Sequence, residues 1–362
     1  MKRILHCFTG LANGGVEAFV MSVYRHINRD QVQFDFLLRD NNRTHYWNEI
    51  ESMGGRIYTT PPYPRHAFKN YLATKRFLKE HLDEYDTIHV HANSLFYMTA
   101  IQLAKKYGIK NRIIHSHNTK GSNQIASIVH QYHKMSVNQF ANVKLACSKA
   151  AAEWMFPDDE YTIINNGIDT EKYRFNSSVR NNIRNELHLN GKYVIGHIGR
   201  FVEQKNHRFI VNLFNKYQKK DHNAVLLLVG FGPLEEQIKV QVSELGIDSK
   251  VIILNNRHDP YNLLQAMDLF LFPSVFEGFG ISLLEAEASG LNCVCSTAIP
   301  GEVLISDQVQ VLSLDDDLER WTNEISVNKE QSHNRDVGYQ QVLESGFDIQ
   351  HTCDQLMKIY LG

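Results

Sequence analysis

Apolar residues occur along this chain in short runs that alternate with amphipathic stretches, and the alternation predicts strands and helices in turn. In the first half, strands are predicted at 3–8, 33–38, 56–59, 87–91, 112–117 and 143–148. The helices predicted between them are at 16–26, 66–82, 95–107 and 125–141. Short strands interleaved with helices are typical of a parallel sheet covered on both faces.

The alternation pauses at 170–190, where a polar stretch rich in asparagine and arginine predicts a linker. It then restarts, with strands predicted at 193–198, 224–229, 251–254, 269–272 and 292–296 and helices at 207–217, 234–245, 260–266 and 348–360. Because 362 residues exceed the usual size of one domain, we predict two doubly wound α/β domains facing each other across a cleft. We place the N-terminal domain at 1–172, the C-terminal domain at 173–346, and a closing helix, which could cross back to the first domain, at 347–362.

Composition and charge exclude several classes of protein. No apolar run is long enough to cross a bilayer, and glycines at 10, 14 and 15 end the first apolar segment too early for an export signal. The five cysteines form no Cys-x-x-Cys pair, which predicts reduced, mostly buried thiols in a cytoplasmic protein. Residues 1–170 carry a net charge of +5 and the remainder −7. Since no dense lysine and arginine block occurs, the first half suits an anionic partner surface better than nucleic acid.

The most informative motif runs from the predicted strand 269–272 through a glycine turn into a helix. Glu277 lies in the turn and Glu285 in the helix, with Gly278 and Gly280 after the first of them. Such a turn directs free backbone N–H groups and the positive end of a helix at whatever lies above the sheet edge. Carboxylates beside an anion site suit a ligand that carries both hydroxyls and phosphate, and a nucleotide sugar is such a ligand.

A second loop begins at Gly199 and carries two cationic side chains, Arg200 and Lys205. It follows the first predicted strand of the second half. In sheets of this kind, ligands bind at the carboxyl ends of the strands. A guanidinium and an ammonium converging there could hold a diphosphate.

Two further glycine pairs follow predicted strands. Gly230 and Gly232 form a close-approach turn, which an ordinary connection from strand to helix also explains. Gly14 and Gly15 precede the first helix and would let a ligand approach the backbone. The surrounding sequence does not match Gly-x-Gly-x-x-Gly, so a nicotinamide dinucleotide site is not supported.

Histidines cluster in the first half, which holds 11 of the 18. His115 and His117 end a strand and share one of its faces, and His89 and His91 repeat this spacing at another strand end. A zinc site would need a third ligand, and none is apparent nearby in the sequence. We therefore expect one histidine of the 115–117 pair at the cleft and the others in structural positions.

The segment 65–79 is basic and amphipathic. The interpretation we favour is a solvated helix face with Phe68, Leu72 and Phe77 in the core. The alternative is that its lysines and arginines contact anionic lipid headgroups.

Taken together, these motifs resemble the retaining GT-B glycosyltransferases of family 4, which include bacterial enzymes of capsule, exopolysaccharide and lipopolysaccharide assembly. The resemblance covers nearly the whole chain and rests most strongly on the pair Glu277 and Glu285, separated by seven residues. The supporting motifs, in the family's order, are Gly14-Gly15, His117, Asn-Gly-Ile-Asp at 166–169, Gly199-Arg200 with Lys205-Asn206, and Gly-Phe-Gly at 230–232. It implies a GT-B fold of two Rossmann-like domains.

The resemblance also implies roles for individual residues. Arg200 and Lys205 would bind the diphosphate of the donor, Glu285 the ribose hydroxyls, and Glu277 a hydroxyl of the donor sugar. His117, from the opposite domain, would lie near the transferred sugar. Further donor contacts are implied at Gly15, Gly199, Gly230, Asn256, Arg257, Gly278, Phe279, Gly280 and Ile281. These enzymes typically bind no metal, so no cofactor is expected, and the acidic run at 315–317 is predicted to be a solvated loop.

The function predicted on this basis is retaining transfer of a sugar from a nucleotide-sugar donor, UDP-linked, to a saccharide or lipid-linked saccharide acceptor. The protein is expected in the cytoplasm, with contact to the anionic inner face of the cell membrane as an option. Two alternatives stay open: a nucleotide-sugar 2-epimerase of the same fold, and a non-catalytic nucleotide-sugar-binding subunit. Conversion of donor without acceptor would indicate the first, and binding without turnover the second.

Overall fold

The computed structural model describes residues 1–11, 14–118, 124–255, 257, 259–330 and 334–362. The chain divides into two compact units, the first formed by Met1–Ile168 with Ile349–Gly362 and the second by Asp169–Asp348. The boundary lies four residues before the one expected from the sequence. Residues 170–173 form a short helix that packs on helices of the second unit, which explains the shift.

The first unit contains a seven-stranded sheet with strand order β3-β2-β1-β4-β5-β6-β7. All neighbouring strands in it are parallel. The strands are β1 (Lys2–Phe8), β2 (Val32–Leu38), β3 (Ile57–Thr59), β4 (Thr87–Ala92), β5 (Asn111–Ser116), β6 (Val143–Ala146) and β7 (Thr162–Ile163). The helices are α1 (Gly15–His26), α2 (His45–Ser52), α3 (Ala67–Glu80), α4 (Thr99–Lys106), α5 (Gln124–Lys134), α6 (Val137–Phe140) and α7 (Lys149–Met155), with α16 (Ile349–Leu361) added from the chain end.

Two apolar cores cover the two faces of this sheet. Helices α3, α4, α6 and α7 contribute to one of them, and α1, α2 and α16 to the other. Helix α16 joins the second core through residues spaced four, three and four apart, which form one stripe of a helix. They are Ile349, Cys353, Leu356 and Tyr360. The last segment of the chain therefore completes the first unit.

The second unit contains a six-stranded parallel sheet with order β10-β9-β8-β11-β12-β13. Its strands are β8 (Tyr193–Ile198), β9 (Ala224–Val229), β10 (Val251–Leu254), β11 (Leu269–Phe272), β12 (Asn292–Ser296) and β13 (Val309–Leu312). Its helices are α8 (Thr170–Tyr173), α9 (Ser177–Glu186), α10 (His207–Tyr217), α11 (Glu235–Glu244), α12 (Pro260–Ala266), α13 (Ile281–Ala288), α14 (Leu318–Glu330) and α15 (Arg335–Glu344). The prediction of two α/β units built on parallel sheets is confirmed.

The linker predicted at 170–190 is wrong, because α8 and α9 occupy this segment. The side chain of Asn176 caps α9 by accepting hydrogen bonds from the backbone N–H groups of Ser178 and Val179. Arg184 is buried in this polar helix and donates to Asp268 at 3.2 Å. The sequence pattern misses α9 because the element docks through polar contacts rather than through an apolar stripe.

Other differences are smaller. The helix expected at 125–141 is divided into α5 and α6, and the structure adds α2, α7, α14, α15 and β13 to the predicted elements. The expectation for 65–79 is correct for Phe77, which is buried, and wrong for Phe68 and Leu72, which are exposed. The prediction for the cysteines is confirmed, since all five thiols are free and four are buried.

Candidate functional site

Three loops of the second unit leave the same edge of the sheet. They follow β9, β8 and β11, which are neighbours in that order and run parallel, so their carboxyl ends lie side by side. The loops begin at Gly230, Gly199 and Pro273 respectively. The structure thus brings together at one sheet edge the three turns singled out in the sequence, where α/β sheets bind ligands.

Three hydrogen bonds to backbone carbonyl oxygens join the loops at 199–206 and 273–280. The N–H of Val275 donates to the carbonyl oxygen of Gln204 at 2.8 Å. The amide of Gln204 donates to the carbonyl oxygen of Phe276 at 3.0 Å, and the amide of Asn206 donates to that of Pro273 at 3.2 Å. The two loops therefore form one connected platform.

Lys205 and Glu277 form an ion pair within this platform. Nζ of Lys205 donates to Oε1 of Glu277 at 2.7 Å, and Nε2 of Gln204 approaches Oε2 at 3.3 Å. The side chains are 15% and 7% exposed respectively, and Nζ also lies 4.6 Å from the ring centroid of Phe272. A cation and an anion at this level of burial are held in fixed positions by each other, which suits them to orient a polar ligand.

Arg200 differs from Lys205, since its side chain is exposed. No hydrogen bond or ion pair of its guanidinium is found among the residues that the structure describes. All of its donors are thus available to an anionic ligand above the loop.

The glycines of the three loops meet different constraints. Gly230 has φ +145°, and a Cβ added there would lie 2.0 Å from the carbonyl oxygen of Gly199. A Cβ on Gly232 would lie 2.5 Å from the carbonyl oxygen of Phe201. These two glycines are required for packing of the loops against each other. A Cβ on Gly278 would have no atom within 4 Å, so the space beside this residue is open to a ligand.

Helix α13 starts at the platform. Gly280 precedes it with φ +101°, and Ile281 is its first residue, so the first N–H groups of the helix have no partner within it. The ring of Phe279 packs on that of Phe347, with centroids 5.2 Å apart. The helix start therefore presents backbone donors and a positive dipole end next to Glu277.

Glu285 lies one turn into α13 and accepts a hydrogen bond from the hydroxyl of Tyr173 at 2.6 Å. Burial raises the pKa of Glu285 to about 7, and the Tyr173 hydrogen bond and the charges of Lys172 and Lys205 partly oppose this rise. Tyr173 belongs to α8, which the sequence pattern had placed in a linker. No local signal marks it as a partner of a residue 112 positions away.

Two predicted donor residues, Asn256 and Arg257, follow β10. Asn256 lies outside the described residues. The guanidinium of Arg257 donates to both carboxylate oxygens of Asp259, at 2.7 and 2.8 Å, and to Glu186 at 2.6 Å. Since two carboxylates already neutralise Arg257, its role in binding a donor is a weaker hypothesis than those of Arg200 and Lys205.

The remaining two predicted residues belong to the first unit. Gly15 is the first residue of α1, and a Cβ added to it would have no atom within 4 Å. His117 follows β5 and is partly exposed, and its Nε2 lies 2.9 Å from Nδ1 of His91. The expectation that no third histidine lies near His115 and His117 is wrong, because the neighbouring strand β4 brings His91 to them.

Comparisons with known proteins show which family the chain belongs to. Residues 13–172 match the family model described as Glycosyltransferase Family 4, and residues 179–325 match the model described as Glycosyl transferases group 1. EpsF of Bacillus subtilis is 28% identical, with 99% of this chain and 96% of EpsF covered. The capsular polysaccharide biosynthesis glycosyltransferase CapH of Staphylococcus aureus is 24% identical over 100% of this chain and 99% of its own.

A solved structure shares the fold. HepE of Anabaena, solved in complex with UDP, superposes with a TM-score of 0.80 at 17% identity, covering 99% of both chains. With the two family models matching in succession, the chain belongs to the glycosyltransferases of family 4, and its fold is GT-B.

Proposed function

We propose that this protein is a retaining glycosyltransferase that moves a sugar from a UDP-linked donor to a saccharide or lipid-linked saccharide acceptor in the synthesis of a surface polysaccharide. The observation that carries the proposal is the pair Lys205 and Glu277, 2.7 Å apart beside the open start of α13. Glu285 is anchored in the same helix by Tyr173. This set offers one group for each part of a nucleotide sugar.

The charges suit the departure of a nucleoside diphosphate. Negative charge grows on the leaving diphosphate as the glycosidic bond breaks, and Lys205, Arg200 and the first N–H groups of α13 supply positive potential for it. Glu277 would accept a hydrogen bond from a sugar hydroxyl, and the family resemblance gives His117 a contact with the transferred sugar. Retention of configuration is part of the same proposal and follows the family resemblance.

Catalysis without a metal is also proposed. The acidic run at 315–317 is used within the protein itself, since Asp316 accepts from the N–H of Ser313 at 3.0 Å and Asp317 from that of Arg320 at 2.8 Å. The carboxylate of Asp317 thus caps the start of α14, and that of Asp316 stabilises the turn before it. The cationic side chains of the platform would then stabilise the leaving group in place of a metal ion.

The names of similar proteins support the substrate classes. A relative in Escherichia coli, 25% identical over 210 residues, is named as a galactosyltransferase that uses UDP-Gal and a diphosphoundecaprenol-linked sugar. HepE was solved with UDP, and CapH is named for capsular polysaccharide biosynthesis. We extend the UDP donor and the lipid-linked saccharide acceptor to this chain as proposals.

The test is a donor screen followed by a transfer assay. Thermal unfolding is measured with UDP, GDP, ADP and their common sugars, and the UDP series is expected to give the largest stabilisation, by mass action. The best donor is then incubated with a polyprenyl-diphosphate-linked saccharide, and the anomeric configuration of the product is read by NMR. Conversion of donor without acceptor, or tight binding with no turnover on any acceptor tried, would contradict the proposal.

The elevated pKa of Glu285 predicts a pH dependence of donor binding. With a pKa of about 7, the carboxyl is mostly protonated at pH 6 and mostly ionised at pH 8. The ionised carboxylate accepts with both oxygens, from Tyr173 and from the ribose hydroxyls, whereas in the protonated form one oxygen carries a proton and acts as a donor. UDP affinity is therefore expected to rise by about tenfold over this range. Because the phosphate titrates too, the quantity to measure by calorimetry is the ratio of wild-type to Glu285→Gln affinity at each pH. A ratio that is constant with pH would refute the role of Glu285.

A lipid-linked acceptor implies contact with a membrane, and the first unit offers an apolar surface for it. Ile125, Ile128 and Tyr132 of α5 are each more than 70% exposed, and Met135 just beyond the helix is 84% exposed. Their spacing of three, four and three residues puts them on one helix face. We propose that the protein attaches to the membrane surface through this helix face. Among the helices of the described residues, none has both the length and the apolar character to span a bilayer.

We expect Ile128→Glu to weaken binding to phosphatidylglycerol vesicles by about tenfold or more, because one large apolar side chain is lost from the bilayer and one charge is added. Co-sedimentation with vesicles is the measurement. Val327→Glu, at an exposed apolar position of α14, is the matched control and is expected to bind like wild type. Equal binding of both variants would rule out the α5 face.

A further inference from the structure

We propose that His91, His115 and His117 form a binding site for a divalent transition-metal ion of the Zn²⁺ class. The three side chains lie at the ends of β4 and β5, where His91 and His115 are register partners. One ring nitrogen of each lies within 4.8 Å of those of the other two. Three imidazole side chains are a ligand set that suits Zn²⁺, Cu²⁺ and Ni²⁺.

The distances match what such an ion needs. Two nitrogens bound at about 2.0–2.1 Å to a tetrahedral ion lie about 3.3 Å apart. Nδ1 of His91 and Nε2 of His117 are now 2.9 Å apart as a hydrogen bond, so a few tenths of an ångström of movement would admit the ion between them. The ligand nitrogen of His115 lies within 4.8 Å of those two, so it would move by at most about 1.5 Å to reach the same spacing.

His115 supplies an independent indication. Its side chain is fully buried, and its Nε2 has no hydrogen-bond partner among the described residues. Buried polar atoms are rarely left without a partner, because the loss of water is then uncompensated. A metal ion at this nitrogen would satisfy it.

In two of these histidines, the second ring nitrogen lies within hydrogen-bond distance of a neighbouring histidine. Metal-binding histidines usually have such a hydrogen-bond partner. Nδ1 of His115 lies 3.3 Å from Nε2 of His89, whose own Nδ1 lies 2.7 Å from the hydroxyl of Tyr360. Nε2 of His91 lies 2.9 Å from Nδ1 of His6. This network fixes the ring orientations, and Tyr360 of α16 is its far end.

Access to the three histidines also fits. His117 is partly exposed, which gives an ion a route in and leaves a position for water. The second possible trio, His6, His89 and His91, is at most 3% exposed throughout and offers no such route.

One consequence rests on the proposed function. An ion bound to His117 occupies the side chain that the family resemblance gives to the transferred sugar. Added Zn²⁺ is therefore expected to inhibit sugar transfer reversibly, with recovery on addition of a chelator.

Binding itself is measured without any activity, on the full chain freed of histidine tags and kept reduced. Titration with Co²⁺ is expected to produce the visible absorption of a tetrahedral ion at one equivalent, and competition by Zn²⁺ to abolish it. His91→Asn and His117→Asn are expected to lose this signal. Tyr360→Phe, which removes one outer hydroxyl, is expected to weaken affinity by about 10- to 100-fold. His222→Asn, at an exposed histidine of the second unit, is the control and is expected to match wild type.

Thermal unfolding of each metal-free variant shows whether it is folded, and Tyr360→Phe keeps the test informative if a histidine variant is not. The proposal is overturned if wild type binds no Co²⁺, if the spectrum shows thiolate-to-cobalt charge transfer, or if folded His91→Asn and His117→Asn both retain the signal. Turnover by metal-free wild type tests the proposed function separately. A failure of the metal-binding proposal would therefore not contradict the proposed function, and a failure of the proposed function would not contradict metal binding.

Discussion

Lys205→Ala is expected to lower kcat/KM for sugar transfer by about 100-fold or more, the usual effect of removing one preorganised charge contact from a transition state. The ammonium lies 2.7 Å from Glu277 and beside the start of α13, where the diphosphate of the donor is proposed to bind. Since the charge acts on phosphate, affinity for UDP is expected to fall much more than affinity for uridine. Initial rates and calorimetry with both ligands are the measurements.

The controls for Lys205 address local structure. Glu277 is only 7% exposed and would lose its ion partner in the alanine variant, which by itself could disturb the platform. Lys205→Gln keeps a donor for Glu277 and lacks the charge, so it is expected to show the same loss of UDP affinity with an unfolding temperature near that of wild type. Lys239→Ala removes a comparable lysine, paired with Glu235 and Glu236 at 2.8 Å on the surface, and is expected to have no effect on transfer. Equal losses of UDP and uridine affinity would contradict the diphosphate role.

Glu277→Gln is expected to lower kcat by about 100-fold or more while UDP affinity stays unchanged or becomes tighter. The carboxylate is proposed to hold a hydroxyl of the transferred sugar, and UDP has no such sugar. Removing the negative charge also releases Lys205 from its ion pair, which favours binding of a diphosphate. Rates with saturating donor, together with calorimetry on UDP alone, separate the two effects.

Glu319→Gln is the matched control for Glu277, because Glu319 also accepts from lysines, Lys216 and Lys220, on an exposed face of the same unit. We expect it to leave both kcat and UDP affinity at wild-type values. A Glu277→Gln enzyme with normal kcat, or one that loses UDP affinity as strongly as Lys205→Ala, would show that Glu277 does not contact the sugar.

The fold was most predictable where local pattern and packing agree. The strands β8, β9, β10 and β11 have the predicted bounds, because each is a compact apolar run ended by a turn. The strand β13 and the helices α14 and α15 were missed, as was α9. Only one residue of the edge strand β13 is buried, and α9 is mostly polar, so neither carries a strong apolar signal.

The candidate site was likewise predictable only where it depends on local sequence pattern. The glycine turns at 199, 230 and 278 could be assigned to one sheet edge from the sequence, because parallel strands of one sheet end together. The partner of Glu285 could not, since Tyr173 reaches it only through packing of α8 on α13. The same holds for Arg257, whose pairing with Glu186 removed it from the strongest candidates.

The sequence by itself determined the alternation of strands and helices, the succession of glycine turns and the spacing of Glu277 and Glu285, and with them the glycosyltransferase family. These features are local, so they can be read from neighbouring residues. Only the tertiary structure decided which residues meet: Lys205 with Glu277, Tyr173 with Glu285, and His91 with His115 and His117. The strand order β1-β4-β5 and the register between those strands set the histidine contacts. Neither can be deduced from the hydrophobic pattern of a single strand.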